Sequence, residues 1–224
     1  MTKKILTASQ RKVIKKISQA KDINDQFVLT GGTALAGFYL HHRFSEDLDL
    51  FSQEEVDPEM IHVFLTSLRK ELAITDIDFQ HTFNRHIYFL TLKNSEILKM
   101  EFTYFPFSPI ENPLQQEGIR VESIIDLAVN KLFTIYQRLT ARDFIDLFFI
   151  LQTYPFSLSD ITKKAKIKFD WHIDPLQLGT QFIQAQKLKD YPRMVQPFNH
   201  NHWKKFFLKE AEKLEKDVFD YDHS

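Results

Sequence analysis

The chain has 224 residues, enough for one large domain or for a core with a helical extension. Hydrophobic residues at 43% and charged ones at 26% are ordinary for a globular protein, and a net charge of −1 excludes a polycation that would hold nucleic acid unaided. There is no cysteine, which excludes disulfides and thiolate metal sites, and no apolar run long enough to span a membrane as a helix.

The first residues, MTKKILTASQRKVIKK, lack an apolar signal core and a small-residue cleavage site, so a cytoplasmic location is expected. Ser9 to about Ser18 reads as a helix with Val13, Ile14 and Ile17 on one stripe. Phe27-Val28-Leu29 is short and bulky enough to be a buried strand. Thr30, Gly31 and Gly32 break that run, and Thr33 opens a helix to about His42. A strand, a Gly-Gly turn and a helix start leave backbone N–H groups available and permit close approach, which suits a phosphate. Next comes Ser45-Glu46-Asp47-Leu48-Asp49-Leu50-Phe51. Strand side chains alternate, so Asp47 and Asp49 share one face while Leu48 and Leu50 pack on the other. Two adjacent carboxylates repel unless a cation sits between them, and Mg²⁺, held by carboxylates plus substrate phosphates, is the candidate. A phosphate cradle beside such a pair is the equipment for phosphoryl or nucleotidyl transfer.

Pro58 suits the first turn of a helix that Met60, Ile61, Phe64, Leu65, Leu68 and Leu72 carry to Leu72. Ile74 to Phe83 alternates loosely. Ile87–Leu92 and Ile97–Phe105, separated by Asn94-Ser95, predict a hairpin. Ile97, Lys99, Glu101 and Thr103 share one face of it. Glu101 reads either as a carboxylate beside the Asp47/Asp49 strand or as a surface glutamate paired with Lys99 or Lys93. Pro106, Pro109 and Pro113 mark a linker and divide the chain into 1–112 and a helical 113–224.

In the helical part, Ser123 with Asp126 looks like a capping arrangement. Ile124, Leu127, Ala128, Lys131, Leu132, Ile135 and Leu139 then form an amphipathic stripe. Lys131 lies within that stripe and must either snorkel outward or reach a buried anion. A second helix, Arg142 to Gln152, places Asp143 and Asp146 on one face, where Asp143 also suits the helix N-terminus. Two basic groups stand out: Lys163, Lys164, Lys166 and Lys168, and Lys3, Lys4, Arg11, Lys12, Lys15 and Lys16. Each reads first as a solvated helix face and second as an RNA contact. Trp171, Phe182, Leu188, Trp203, Phe206, Phe207, Leu214 and Val218 mark further helices, the last from about His202 to Val218. His200 and His202 have no acidic partner at ligand spacing and read as solvated loop histidines.

The segment around the glycine pair resembles the nucleotidyltransferase AbiEii/AbiGii toxin family. The family's Gly-Gly-Thr-Ala-Leu is Gly31 to Leu35 here, and its Arg-x-Ser-x-Asp-Leu-Asp-Leu-Phe is Arg43 to Phe51. A later family pattern is met by Asp126, Leu127, Lys131, Arg138, Arg142, Asp143, Asp146 and Leu147, and the match covers roughly Phe27 to Ile150. The resemblance implies an α+β fold with a polymerase-β-like nucleotidyltransferase core, a small mixed sheet with flanking helices, and a helical C-terminal half closing over the nucleotide. It implies transfer of a nucleoside monophosphate from an NTP to an acceptor hydroxyl (the EC 2.7.7 type of reaction). The first acceptor is RNA, at a tRNA 3′ end. A protein or small-molecule acceptor is the alternative, and a catalytically inactive nucleotide-binding protein is the rival from another class. The family implies a toxin with a cognate antitoxin. By the same resemblance Asp47, Asp49 and Glu101 hold Mg²⁺, Gly31, Gly32 and Thr33 cradle the phosphates, and Ser45 stands close by. Arg43, Lys131 and Arg142 neutralise the triphosphate, and Asp146 orients Lys131 or the acceptor.

Overall fold

A computed structural model describes residues 5–221 of the chain, with side chains through 215. Lys3, Lys4 and the Val218 side chain lie outside the described residues. The chain forms two compact units, Met1–Ser123 and Ile124–Ser224.

In the first unit, helix α1 (Ala8–Ile17) is started by a capping box. The Thr7 side chain accepts from the Gln10 N–H while the Gln10 side chain accepts from the Thr7 N–H. Helix α2 (Lys21–Gln26) leads into strand β1 (Val28–Thr30). Helix α3 begins at Gly31 rather than Thr33, runs to Ala34, and continues as a π-helical stretch, Leu35–Leu40. The glycines are therefore the first helical turn itself, and the helix ends at His41, which takes the left-handed conformation. Strand β2 (Leu48–Ser52) follows, then α4 (Pro58–Ser67), capped by Asp57 with Pro58 at its start. The helix expected to run to Leu72 is broken at Leu68, and Arg69–Leu72 forms a separate short α5.

Strands β3 (Ile74–Thr82), β4 (Arg85–Leu92) and β5 (Ile97–Tyr104) form an antiparallel ribbon, so the predicted hairpin is the β4–β5 pair. Strands β6 (Leu114–Gln116) and β7 (Ile119–Val121) were not anticipated. Glu117 and Gly118, both at positive φ, make the tight turn between them, a geometry that glycine takes without strain. All seven strands form one mixed sheet in the order β3-β4-β5-β2-β1-β7-β6. Because β7 pairs with β1 in parallel, residues 114–121 belong to the first unit, and the division falls after Ser123 rather than after residue 112.

Alternation assigns the sheet's two faces. Leu29, Leu50, Phe102, Met100 and Leu90 are buried on one side, where Phe27 meets Phe102 edge to face at 5.1 Å. Asp49, Lys99, Glu101 and Arg85 project from the other. An open cavity of about 420 Å³, lined by residues that include Val63, Phe79 and Tyr88, lies on the apolar side, away from the carboxylates.

The second unit is helical: α6 (Ile124–Gln137), α7 (Ala141–Thr153), α8 (Leu158–Phe169), α9 (Pro175–Gln184) with a 3-10 turn at Ala185–Lys187, and α10 (Asn201–Tyr221). Phe144 of α7 is its packing centre, 5.0 Å from the Phe207 ring, 5.8 Å from Trp203 and 6.3 Å from Phe182. Lys168, one of the expected surface lysines, is instead buried and donates to Asp126 at 2.7 Å. His200 is likewise not simply solvated: it stacks on Tyr191 at 3.8 Å and accepts from Trp203 Nε1 at 3.2 Å.

Candidate active site

The polar side of the first unit's sheet gathers most of the predicted site residues. Register is the cause. Thr30 is paired with Asp49 across β1 and β2, and Asp49 with Glu101 across β2 and β5. Directly paired residues point to the same face, so Glu101 is a true neighbour of the Asp-x-Asp strand. Asp47 lies just before β2, and the Thr33 hydroxyl donates to its carbonyl, tying the glycine helix to the acidic strand. Thr33 is fully buried, and its hydroxyl is used in this tie.

Both glycines lie close against side chains of the acidic segment. A Cβ at Gly31 would overlap Asp49 Oδ2, and Gly31 has φ of +70°. A Cβ at Gly32 would overlap Arg43 Nη2 and come within 2.9 Å of Ser45 Oγ. Gly31, Gly32, Arg43, Ser45 and Asp49 therefore form one cluster. Arg43 is buried, with its Nη1 donating to the Phe44 carbonyl at 2.9 Å. Gln10, also buried, donates from Nε2 to the carbonyls of Ser45 and Glu46 and fixes the loop that leads into Asp47.

Glu101 is held by Arg85 and by Lys99, the second of which the strand pattern already offers as its partner. Arg85 Nε and Nη2 donate to its two oxygens at 2.5 and 2.6 Å, a bidentate fork. Lys99 Nζ lies 3.4 Å from Glu101 Oε2 and 3.2 Å from Asp47 Oδ2. Burial alone would raise the Glu101 pKa, but Arg85 and Lys99 overcome it and hold the carboxyl below its ordinary range. Burial alone would lower Lys99, yet the charges of Asp47 and Glu101 raise it. Among the described residues no group of three or more His, Asp or Glu is placed to hold a metal ion, while Asp49 and Glu101 are paired in register on neighbouring strands. The donor chemistry of Asp47 and Asp49 does fit a hard cation: carboxylate oxygens on one polar face, with the Asp47 side chain 37% exposed.

Arg85 was the residue missed outright, because its use depends on strand register rather than on a motif. Glu122 was missed as well. It is buried at the end of β7, accepts a hydrogen bond from the Thr30 hydroxyl, and its carbonyl accepts from Tyr39, which locks β7 beside the glycine helix.

The second unit holds the other predicted group. Lys131 Nζ lies 2.7 Å from Asp143 Oδ1 and 2.7 Å from Asp146 Oδ2, with 11% of its side chain exposed. Thr140 donates to Asp143, and Arg138 Nη2 approaches it at 3.5 Å. Burial would raise the Asp143 pKa, but Lys131 and Thr140 hold it below the usual carboxylate range. Of the two readings of Lys131, the buried-anion one is met, by both aspartates at once. Arg142 is exposed near the start of α7.

A seven-stranded mixed sheet, a glycine helix start packed on an acidic strand, and flanking helices define the fold as that of a polymerase-β-like nucleotidyltransferase. Solved structures agree. The chain superposes on JHP933 from Helicobacter pylori with a TM-score of 0.62 at 24% identity, over 96% of this chain and 92% of that one. It superposes on MenT4, a nucleotidyltransferase toxin from Mycobacterium tuberculosis, with a TM-score of 0.52 at 15% identity, over 93% and 86%. A protein of Aquifex aeolicus is 29% identical over 166 residues, 73% of this chain and 76% of its own length. The chain belongs to the AbiEii nucleotidyl transferase toxin family of type IV toxin–antitoxin systems, which it matches over residues 17–220. No helix among the described residues is long and apolar enough to cross a membrane.

Proposed function

We propose that this protein transfers a nucleoside monophosphate from an NTP to a hydroxyl of RNA, at a tRNA 3′ end, in a Mg²⁺-dependent reaction of the EC 2.7.7 type, as a toxin with a cognate antitoxin. The observation that carries this reading is the packing of Gly31 and Gly32 against Asp49, Arg43 and Ser45. A phosphate chain laid on the glycine turn would meet backbone N–H groups and the Ser45 hydroxyl on one side and the Arg43 guanidinium behind them. Asp47 and Asp49 would hold the metal, and Glu101 would join them if its carboxylate turned from Arg85. Bound there, Mg²⁺ supplies positive charge to the entering and leaving oxygens. The chain's own contribution is positioning and charge, as phosphoryl-transfer chemistry requires.

The test is incubation of the purified protein with each α-labelled NTP, Mg²⁺ and total RNA. Label entering RNA supports the reading. Label entering protein instead, or no transfer from any NTP, refutes the RNA acceptor or the activity respectively.

A further inference from the structure

Lys99 and Glu101 alternate on β5 so that both face the Asp47 side of the sheet, and the Lys99 ammonium lies between the two carboxylates, 3.2 Å from Asp47 and 3.4 Å from Glu101. Arg85 differs from it in kind. Its planar fork fixes Glu101 through two oxygens, whereas Lys99 is a point charge on a flexible stem, 25% exposed, able to swing away without disturbing the strand. A divalent cation and an ammonium cannot both take the same Asp47 oxygen without repelling each other. The surroundings are half-buried, so this repulsion is less screened than at an open surface.

We infer that Lys99 is a tethered counter-ion that competes with divalent metal for Asp47, and that the phosphates of an incoming nucleotide relieve the competition by offering the ammonium another anion. Metal and nucleotide then bind with positive coupling, each making the other's site better, as linkage demands. Metal without nucleotide binds weakly, and the carboxylates remain neutralised by the chain itself. Lys99 is a positioning residue in this account. The inference rests on the proposal that Asp47 and Asp49 hold metal.

The experiment is titration of the intact protein with Mn²⁺, followed by electron paramagnetic resonance, with and without a non-hydrolysable NTP analogue. Lys99→Met and Lys99→Gln both remove the charge while keeping much of the stem, and Lys99→Arg keeps the charge. Both neutral variants should bind Mn²⁺ alone at least about five-fold more tightly than wild type, and should lose most of the tightening caused by the analogue. Lys99→Arg should behave as wild type. Unchanged or weaker Mn²⁺ binding in the two neutral variants, with circular dichroism as in wild type, overturns the inference. Asp49→Ala separates the two levels. If it abolishes Mn²⁺ binding while the Lys99 variants change nothing, only the counter-ion role fails. If it binds Mn²⁺ as wild type does, the metal assignment fails and the inference with it.

Discussion

Lys131 shows how the environment of a single residue changes its expected behaviour. In an apolar stripe facing one optional partner, its replacement by methionine would be harmless or stabilising. It is clamped instead between Asp143 and Asp146, both buried. Lys131→Met would leave two carboxylates in a low-dielectric pocket without their cation, so it should destabilise the protein by about 3–5 kcal/mol. Urea unfolding measures this, and a loss under about 1 kcal/mol would show that the triad is not a structural unit. Asp143 also predicts an acid limb. Its folded pKa is depressed, so its stabilisation is fully present above the unfolded value of about 4 and is lost as pH falls through the folded value. In that window the unfolded chain binds more protons, and stability rises with pH. Asp143→Asn should lower stability at neutral pH and flatten the decline below about pH 4, read from melting temperatures across pH. An equally steep acid limb in the variant would contradict the assignment. At Gly31, alanine adds a strained φ to an overlap with Asp49 Oδ2. Gly31→Ala should therefore cost at least about 1 kcal/mol and displace the Asp49 carboxylate, weakening NTP binding in calorimetry. Unchanged affinity would remove the glycine turn from the site.

Strand β5 joins the core to the chemistry, because its alternate residues belong to opposite faces. Phe102 is fully buried, with Phe27 at 5.1 Å and Tyr88 at 6.0 Å, while neighbouring Glu101 faces the acidic strand. Phe102→Ala should cost about 3–5 kcal/mol in urea unfolding. A cost below about 1 kcal/mol would mean that β5 does not anchor the sheet. The β4–β5 hairpin was legible because its apolar alternation is strong and a polar turn separates the runs. The β6–β7 hairpin was not, since Leu114–Gln116 carries only one apolar residue and the preceding prolines suggested a linker. Its one local signal was Glu117-Gly118 between two short runs. The glycine helix was placed two residues late because glycine is a poor helix former, a preference overridden here by the need for backbone without Cβ beside Asp49 and Arg43.

On the scale of the whole chain, what could be read early was what lies close together in sequence: the glycine pair, Asp47, Asp49, Arg43 and Ser45 all fall within one segment. What could not be read depended on register or on distant packing. Arg85 finds Glu101 only through the β4–β5 pairing, and Lys168 looks like a surface lysine until α8 buries it on Asp126, 42 residues away in the chain. Family membership and fold rest on the match over residues 17–220 and on the sheet, while the proposed chemistry rests on Asp47 and Asp49. Replacing either carboxylate acts at the polar face and leaves the apolar side of β2, Leu48 and Leu50, in place. The most direct measurement is transfer of α-labelled nucleotide to RNA by wild type, Asp47→Ala and Asp49→Ala, all checked for unchanged thermal melting. Label should enter RNA with wild type alone, reduced at least about a thousand-fold in each variant. Transfer by either variant at the wild-type rate would contradict the account.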